Sequence, residues 1–224
     1  MNSNYIYFVD LEDFLVCHNF GITNCISTST LAHYGTSKEL HPVYTLEIEE
    51  LKNMQCVNTF TSPRLKFLTM ANMSKNGLVL GVGIENTRIF DSKELQRIND
   101  IAKIEFEFER IRREVNPNLP SRLISIYLAN DDFDGRTMLK NMFPNKKDFF
   151  IVPINIDIQL LFHKADSQWF DYYIETKDIK AIENYWKGID YNKIPLYEYL
   201  LDGRISLRDE IDKAKILKEY ENRH

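Results

Sequence analysis

A single α+β domain is the fold class this sequence predicts, and three observations carry it. Short aromatic and β-branched runs alternate with helical patterns but lack the regular strand–helix spacing of a parallel sheet. One long amphipathic helix stands in the middle of the chain. No internal repeat, low-complexity tract or linker divides residues 1–224.

Taken in order, Tyr5–Val9 (YIYFV) opens as a strand, since aromatic and β-branched residues fit a pleated, half-buried surface. Residues Gly21–Pro42 are rich in Ser, Thr, Asn and His without periodicity and read as loop with short pieces of structure. Tyr44–Met54 sets acids against Leu and Ile at helical spacing, and Pro63 marks a break. Leu78–Gly83 (LVLGVG) is ambiguous between a strand and a buried turn. The clearest helix spans about Ser92–Val115. Asp91 and Glu94 form a capping box, Leu95, Ile98, Ile101, Phe108 and Ile111 make one stripe, and Asn116-Pro117 ends it. Leu123–Ala129 reads as a strand and Gly135–Met142 as a short helix. Phe149–Phe162 is one or two strands, with Pro153 at an edge or bulge. Thr176–Lys187 is a helix stopped by Gly188, and a last strand near Ile205–Arg208 precedes a charged C-terminal helix.

Composition bounds the function only loosely. The chain is 44% hydrophobic, 12% aromatic and 27% charged, within the range of ordinary globular domains. Its net charge of −5 offers no broad basic field for nucleic acid. No basic leader with an apolar core stands at the start, and no apolar run approaches the ~20 residues that span a bilayer. The three cysteines, Cys17, Cys25 and Cys56, lack paired spacing and fit a reducing compartment. A cytoplasmic protein without membrane association is the expectation.

Motif by motif, the chemistry is sparse. The five histidines, His18, His33, His41, His163 and His224, lack metal-ligand spacing, so no metal is expected. Gly81-Val82-Gly83 lacks the third glycine of a dinucleotide fingerprint and reads as a tight turn. Glu105, Glu107, Glu109 and Glu114 interleave with Arg110, Arg112 and Arg113, the pattern of a solvated face laced by helical ion pairs. Phe106 lies off the apolar stripe, so this helix should meet protein on two sides. Ser121-Arg122 follows Pro120 into a strand, and Arg122 is placed to pair with an acid of the preceding helix. Glu198 stands inside an apolar and aromatic segment, either at a rim or held in a pocket, because an unpaired buried carboxylate is costly.

Four stretches recur in a familiar order: Tyr7-Phe8-Val9-Asp10; Glu105-Phe106-Glu107-Phe108-Glu109-Arg110; Leu119-Pro120-Ser121-Arg122; and Tyr185-Trp186 through Gly203. Together they resemble a bacterial branch of the ADP-ribosyltransferase superfamily, over nearly the whole chain. The resemblance implies a split antiparallel sheet with flanking helices and a helical insertion in the N-terminal half. It implies NAD as substrate and transfer of ADP-ribose to a macromolecular acceptor, nucleic acid or protein, in a toxin or phage-defence setting where an antitoxin or inhibitor is a further partner. An inactive NAD-binding or protein-interaction module on the same fold is the alternative.

By that resemblance Glu198 is the catalytic carboxylate, since cleavage at the ribose C1′ passes through an oxocarbenium-like state. Tyr7, Phe8 and Asp10 of the first strand, with Ser121, Arg122 and Tyr127, are the candidate NAD-binding residues. Arg122 suits the diphosphate and Tyr127 suits stacking on nicotinamide. The family's first-strand His is Phe8 here. Either His18 or His33 reaches in from nearby, NAD is held differently, or the fold is inactive. His33-Tyr34-Gly35-Thr36 imitates another transferase motif out of context. Ser27-Thr28-Ser29-Thr30 imitates the motif of arginine-specific enzymes, but the residue two before Glu198 is Leu196, which disfavours arginine modification.

Overall fold

A computed structural model describes residues 4–53, 64, 68, 70–73, 91–144 and 146–223. Leu78–Gly83, Cys56 and Pro63 lie outside the described residues. The order of elements is β1 (Tyr5–Asp10), α1 (Phe14–Thr23), β2 (Cys25–Ser27), α2 (Ser29–Ser37), α3 (Pro42–Thr45), α4 (Ile48–Asn53) and α5 (Ser92–Val115). It continues with β3 (Ile126–Asn130), α6 (Phe133–Met142), β4 (Phe149–Asp166), α7 (Gln168–Thr176), α8 (Ile179–Trp186), β5 (Tyr197–Leu207) and α9 (Glu210–Arg223).

The five strands pair antiparallel in the order β2-β5-β3-β1-β4, and β4 returns to pair with β5. Four strands therefore close into a ring with β2 at its edge. Closure is the work of β4, an 18-residue strand whose first part pairs with β1 and whose second part pairs with β5. Two register shifts, between Ile156 and Ile158 and between Gln159 and Leu161, bend it around the turn. Gly203, paired with Gln159, lies between them. A Cβ there would lie 2.0 Å from the Ile158 carbonyl oxygen, so the two backbones meet only because the side chain is missing. Pro153 stands one residue before the β5 ladder begins at Ile154.

Alternation along the strands separates two faces. Tyr7, Val9, Ile126, Leu128, Tyr199, Leu201 and Ile205 bury against Val16, Cys17 and Phe20 of α1 and Ile216 of α9. On the other face, Tyr127, Ala165 and Leu200 meet Phe108 of α5 and Ala181, Ile182, Tyr185 and Trp186 of α8. Ile6, Phe8 and Ala129 share that face and pack on Met138 and Leu139 of α6. A further cluster joins Val43, Leu51, Leu68 and Ala71 to Ile98 and Ala102 of α5.

Helix α5 carries the predicted capping box and ends at Asn116 before Pro117. Its buried stripe is more polar than expected. Glu105, Glu109 and Arg112 are buried with Ile98, Ala102, Phe108 and Ile111. Glu107, Arg110 and Glu114 form a partly exposed, ion-paired face. The solvated-face reading is thus wrong for the three buried residues, because their positions fall on the 3.6-residue period of the core stripe.

Four other readings shift. Gly21–Pro42, expected as loop with short pieces of structure, is mostly structured: it holds the end of α1, the short β2 and the nine-residue α2. Thr176–Lys187 is a junction of two helices, broken where Lys177 adopts φ +59°. The strand expected from Leu123 starts only at Ile126. The strand near Ile205 is the end of β5, which begins at Tyr197 and carries Glu198. No described helix is long and apolar enough to cross a membrane.

Candidate functional site

Glu198 sits near the start of β5, with its side chain 2% exposed. Its carboxylate is buried and paired instead of standing at a rim, and its surroundings are charge and aromatic rings. Arg122 Nη1 donates to Glu198 Oε1 at 2.6 Å, and the Tyr185 hydroxyl donates to the same oxygen at 2.5 Å. Arg122 Nη1 also reaches the Tyr185 oxygen. On its other side Arg122 meets Glu105, with Nε 3.1 Å from Oε2 and Nη2 3.4 Å from Oε1. The expected pairing of Arg122 with an acid of the preceding helix is this contact. Arg64 adds a second cation, its Nε 3.2 Å from Glu105 Oε1.

Rings enclose the guanidinium of Arg122. Its central carbon lies 4.7 Å from the centroid of Phe170, 5.0 Å from Tyr185, 5.1 Å from Phe108 and 5.4 Å from Tyr127. Cation–π attraction is strongest where water is excluded, so the rings offset part of the desolvation penalty. The Tyr127 hydroxyl donates to the Arg122 carbonyl at 2.9 Å and ties β3 to the preceding turn. Burial raises the pKa of the Tyr185 and Tyr127 phenols well above the usual range, so both stay protonated donors. Behind Tyr185, His163 Nε2 lies 3.1 Å from its carbonyl, and Trp186 Nε1 donates to the Phe108 carbonyl at 2.8 Å. These contacts fix the C-terminal end of α8 against β4 and α5.

A second buried carboxylate, Glu109, lies one turn along α5. It accepts two bonds from Arg112, at 2.7 and 2.9 Å, one from Arg113 and one from the Ser121 hydroxyl at 2.7 Å. Arg113 in turn reaches the Val43 and Leu46 carbonyls, binding α3 to α5. A third, Asp202, is fully buried and accepts from the hydroxyls of Thr28, Thr30 and Tyr44. The Tyr44 oxygen also receives the Ser121 N–H at 3.4 Å. Hydrogen bonds therefore run from Asp202 through Tyr44 and Ser121 to Glu109 and Arg112.

The structure thus brings Glu198, Arg122, Tyr127 and Ser121 into neighbouring polar clusters on one face of the sheet. The first-strand candidates are elsewhere. Tyr7 points into the opposite core, edge-on to Phe20. Phe8 shares the Tyr127 face but is stacked between Phe143 and Phe149 at 4.5 and 4.6 Å. Asp10 ends β1 in an ion pair with Lys146 at 2.7 Å. His18 engages Tyr220 from α1, which covers the Tyr7 face, and His33 faces His41. Neither histidine contacts Phe8 among the described residues.

Several members escaped sequence reasoning. Glu105, Glu109 and Arg112 read as surface charge by their alternation, although a period count from Ile98 and Ala102 places them on the core stripe. Tyr185 was part of a motif without a role. Thr28 and Thr30 were dismissed as an imitation; in the fold they hold Asp202. Arg64 carried no local signal.

Comparison with protein families bears on the same elements. A family model described as a protein of unknown function, DUF2441, matches residues 35–213 of the chain. The chain belongs to the DUF2441 family. The matched span carries Arg64, Glu105, Glu109, Arg112, Arg122, Tyr185, Glu198 and Asp202, and leaves β1 and β2 outside the match. The polar clusters of this DUF2441 protein are therefore formed almost wholly by family-matched residues, with Thr28 and Thr30 joining from outside. No curated protein matches the chain.

Proposed function

We propose that this DUF2441 protein is an ADP-ribosyltransferase-like enzyme that takes NAD and transfers ADP-ribose to a macromolecular acceptor, with Glu198 as its catalytic carboxylate. The observation that carries the reading is a carboxylate on the shared central strand, held by Arg122 and Tyr185 inside a ring of aromatic side chains. A site that cleaves a ribosyl bond needs a fixed negative charge beside the developing oxocarbenium ion, in surroundings of low dielectric. Glu198 supplies a fixed carboxylate in buried surroundings. The sheet is antiparallel, as the resemblance implies, but β4 closes it into a ring where the resemblance implies a split core. Tyr127 is buried with its ring against Arg122 and Arg64, so the nicotinamide role expected of it requires one of these cations to move.

One observation favours a second reading. Phe8 stands where the ADP-ribosyltransferase resemblance implies a histidine and is buried between two rings, and Glu198 Oε1 already has two donors. An inactive module that binds NAD or a protein partner, such as an inhibitor, keeps the same cluster as a structural core.

The test is incubation of the protein with labelled NAD and a cell lysate, beside Glu198→Gln. Label transferred by the wild type and reduced about 10²–10⁴-fold by the substitution supports the enzyme. Nuclease and protease digestion of the labelled fraction then separates a nucleic-acid acceptor from a protein one. Equal background label from both proteins removes the transferase reading, and an NAD titration then decides whether a binding module remains.

A further inference from the structure

Three aromatic side chains meet near the surface and take no part in the charged cluster. Trp169 and Tyr172 stand one turn apart on α7, and Tyr191 follows α8 in the stretch that leads to β5. The Tyr191 ring is perpendicular to Trp169, with centroids 4.8 Å apart, and Tyr172 lies edge-on to Trp169 at 5.9 Å. Tyr172 and Tyr191 are 5.7 Å apart and tilted by 49°. Trp169 and Tyr172 are half-buried, and Tyr191 is 38% exposed. Trp169 Nε1 donates to the Ile189 carbonyl at 2.7 Å, which holds the indole against the segment that carries Tyr191.

Their neighbours on α7 already have cations. Phe170 lies under the guanidinium groups of Arg122 and Arg64, and Tyr173 lies under Lys177. Among the described residues no lysine or arginine lies over Trp169, Tyr172 or Tyr191. Beneath these rings is an anion. Asp166, 1% exposed, accepts from Gln168 N and Nε2, Tyr191 N and Leu196 N, all neutral amides, and no described lysine or arginine pairs with it. Its carboxylate pins the backbone at Tyr191 and next to Trp169, and puts there a negative charge that no described cation balances. Asp171, between Trp169 and Tyr172 in the chain, has its pKa raised by burial and by the carboxylates of Glu198 and Glu175, so the surroundings of α7 are negative. Lys193 lines an adjoining cavity of about 580 Å³ with Gln168, Asn192, Ile194 and Leu196, away from the three ring faces.

We propose that Trp169, Tyr172 and Tyr191 bind a quaternary ammonium group, the trimethylammonium of a choline compound or of a trimethylated lysine. The three centroids form a triangle small enough that a cation about 4 Å above it lies roughly 5 Å from each, inside the ~6 Å reach of cation–π attraction. A methylated ammonium suits such rings better than a bare one, because its methyl groups bury against aromatic carbon and it gives up no N–H bonds to water. The Asp166 charge attracts a cation and repels an anion. This site is independent of the reaction proposed for Glu198, and neither needs the other.

The test titrates the full chain with choline at constant ionic strength, by calorimetry and tryptophan fluorescence. Beside it runs 3,3-dimethylbutan-1-ol, which has the same shape with carbon in place of the charged nitrogen. Wild type should bind choline in the millimolar range and the uncharged isostere about tenfold more weakly. Tyr191→Leu and Tyr172→Leu should each weaken choline about three- to tenfold, whereas Tyr191→Phe keeps the ring and should bind as the wild type does. Tyr34→Leu, which removes an exposed ring from α2, serves as control and should also match the wild type. Circular dichroism melting checks that the leucine variants are folded. Acetylated trimethyl-lysine amide is titrated in parallel, and the tighter of the two ammonium ligands names the carrier. Absence of saturable binding of either ammonium by the wild type, equal affinity for the isostere, or unchanged binding by both leucine variants at α7 and after α8 overturns the assignment.

Discussion

Replacing Arg122 by methionine tests whether the cluster is a mutually dependent ionic core. The substitution keeps much of the side-chain length and removes the charge. Glu105 retains Arg64 at 3.2 Å, whereas Glu198 retains only the Tyr185 hydroxyl and stays buried. Removing one partner of a buried ion pair costs about 3–5 kcal/mol, because the other charge is left without compensation. With a urea slope of about 2–3 kcal/mol/M, the unfolding midpoint should fall by roughly 1–2.5 M. Exchanging both partners in Arg122→Met/Glu198→Leu removes the stranded charge, so the double variant should be more stable than R122M alone. Urea unfolding followed by tryptophan fluorescence reads this directly, since Trp186 lies edge-on to Tyr185 at 4.9 Å. An R122M loss below about 1 kcal/mol, or a double variant whose loss equals the sum of the two single losses, refutes the argument.

Two further outcomes follow from single positions. His41 is buried, its side chain accepts from the Val43 N–H, and burial with His33 nearby lowers its pKa from 6.5 to about 4. The unfolded chain then binds more protons between those values, so this contribution is full above pH 6.5 and is lost as pH falls toward 4. The loss amounts to about 3 kcal/mol. His41→Asn keeps the acceptor without the titration, and its urea midpoint should change less than that of the wild type over the same pH range; an identical change removes the assignment. Gly203→Ala places a methyl 2.0 Å from the Ile158 carbonyl, so backbone must shift where the ring of strands closes. A loss of at least about 2 kcal/mol is expected from such overpacking, and an unchanged melting temperature would show that β4 yields at its bulge.

Local chemistry made several elements legible in the sequence. The α5 cap, its end before Pro117, the first strand and the helix after Asp132 are all written in neighbouring residues, because capping, proline sterics and period act within a few positions. Arg122 and Glu198 could be singled out because a charge amid apolar or turn residues demands a partner. The helix that pairs with Arg122 was legible, but which of its acids was not, nor was the partner of Glu198. Glu105 lies 17 positions from Arg122 and Tyr185 lies 13 from Glu198, and these meetings exist only once α5 and α8 cover the same face of the sheet. Helix α2 was missed for the same reason. Its Ser- and Thr-rich start has weak helix propensity, and the bonds from Thr28 and Thr30 to Asp202, more than 170 residues away, hold it in place.

By itself the sequence determined a mixed α/β fold, the bounds of α5, the end of α6 and two of the charges that matter. Only the tertiary structure decided that Glu105, Glu109 and Arg112 belong to the core, and that Phe8 lies apart from the charged cluster. The physical reason is that propensity and pattern act along the chain, whereas the cost of burying a charge is set by what packs around it.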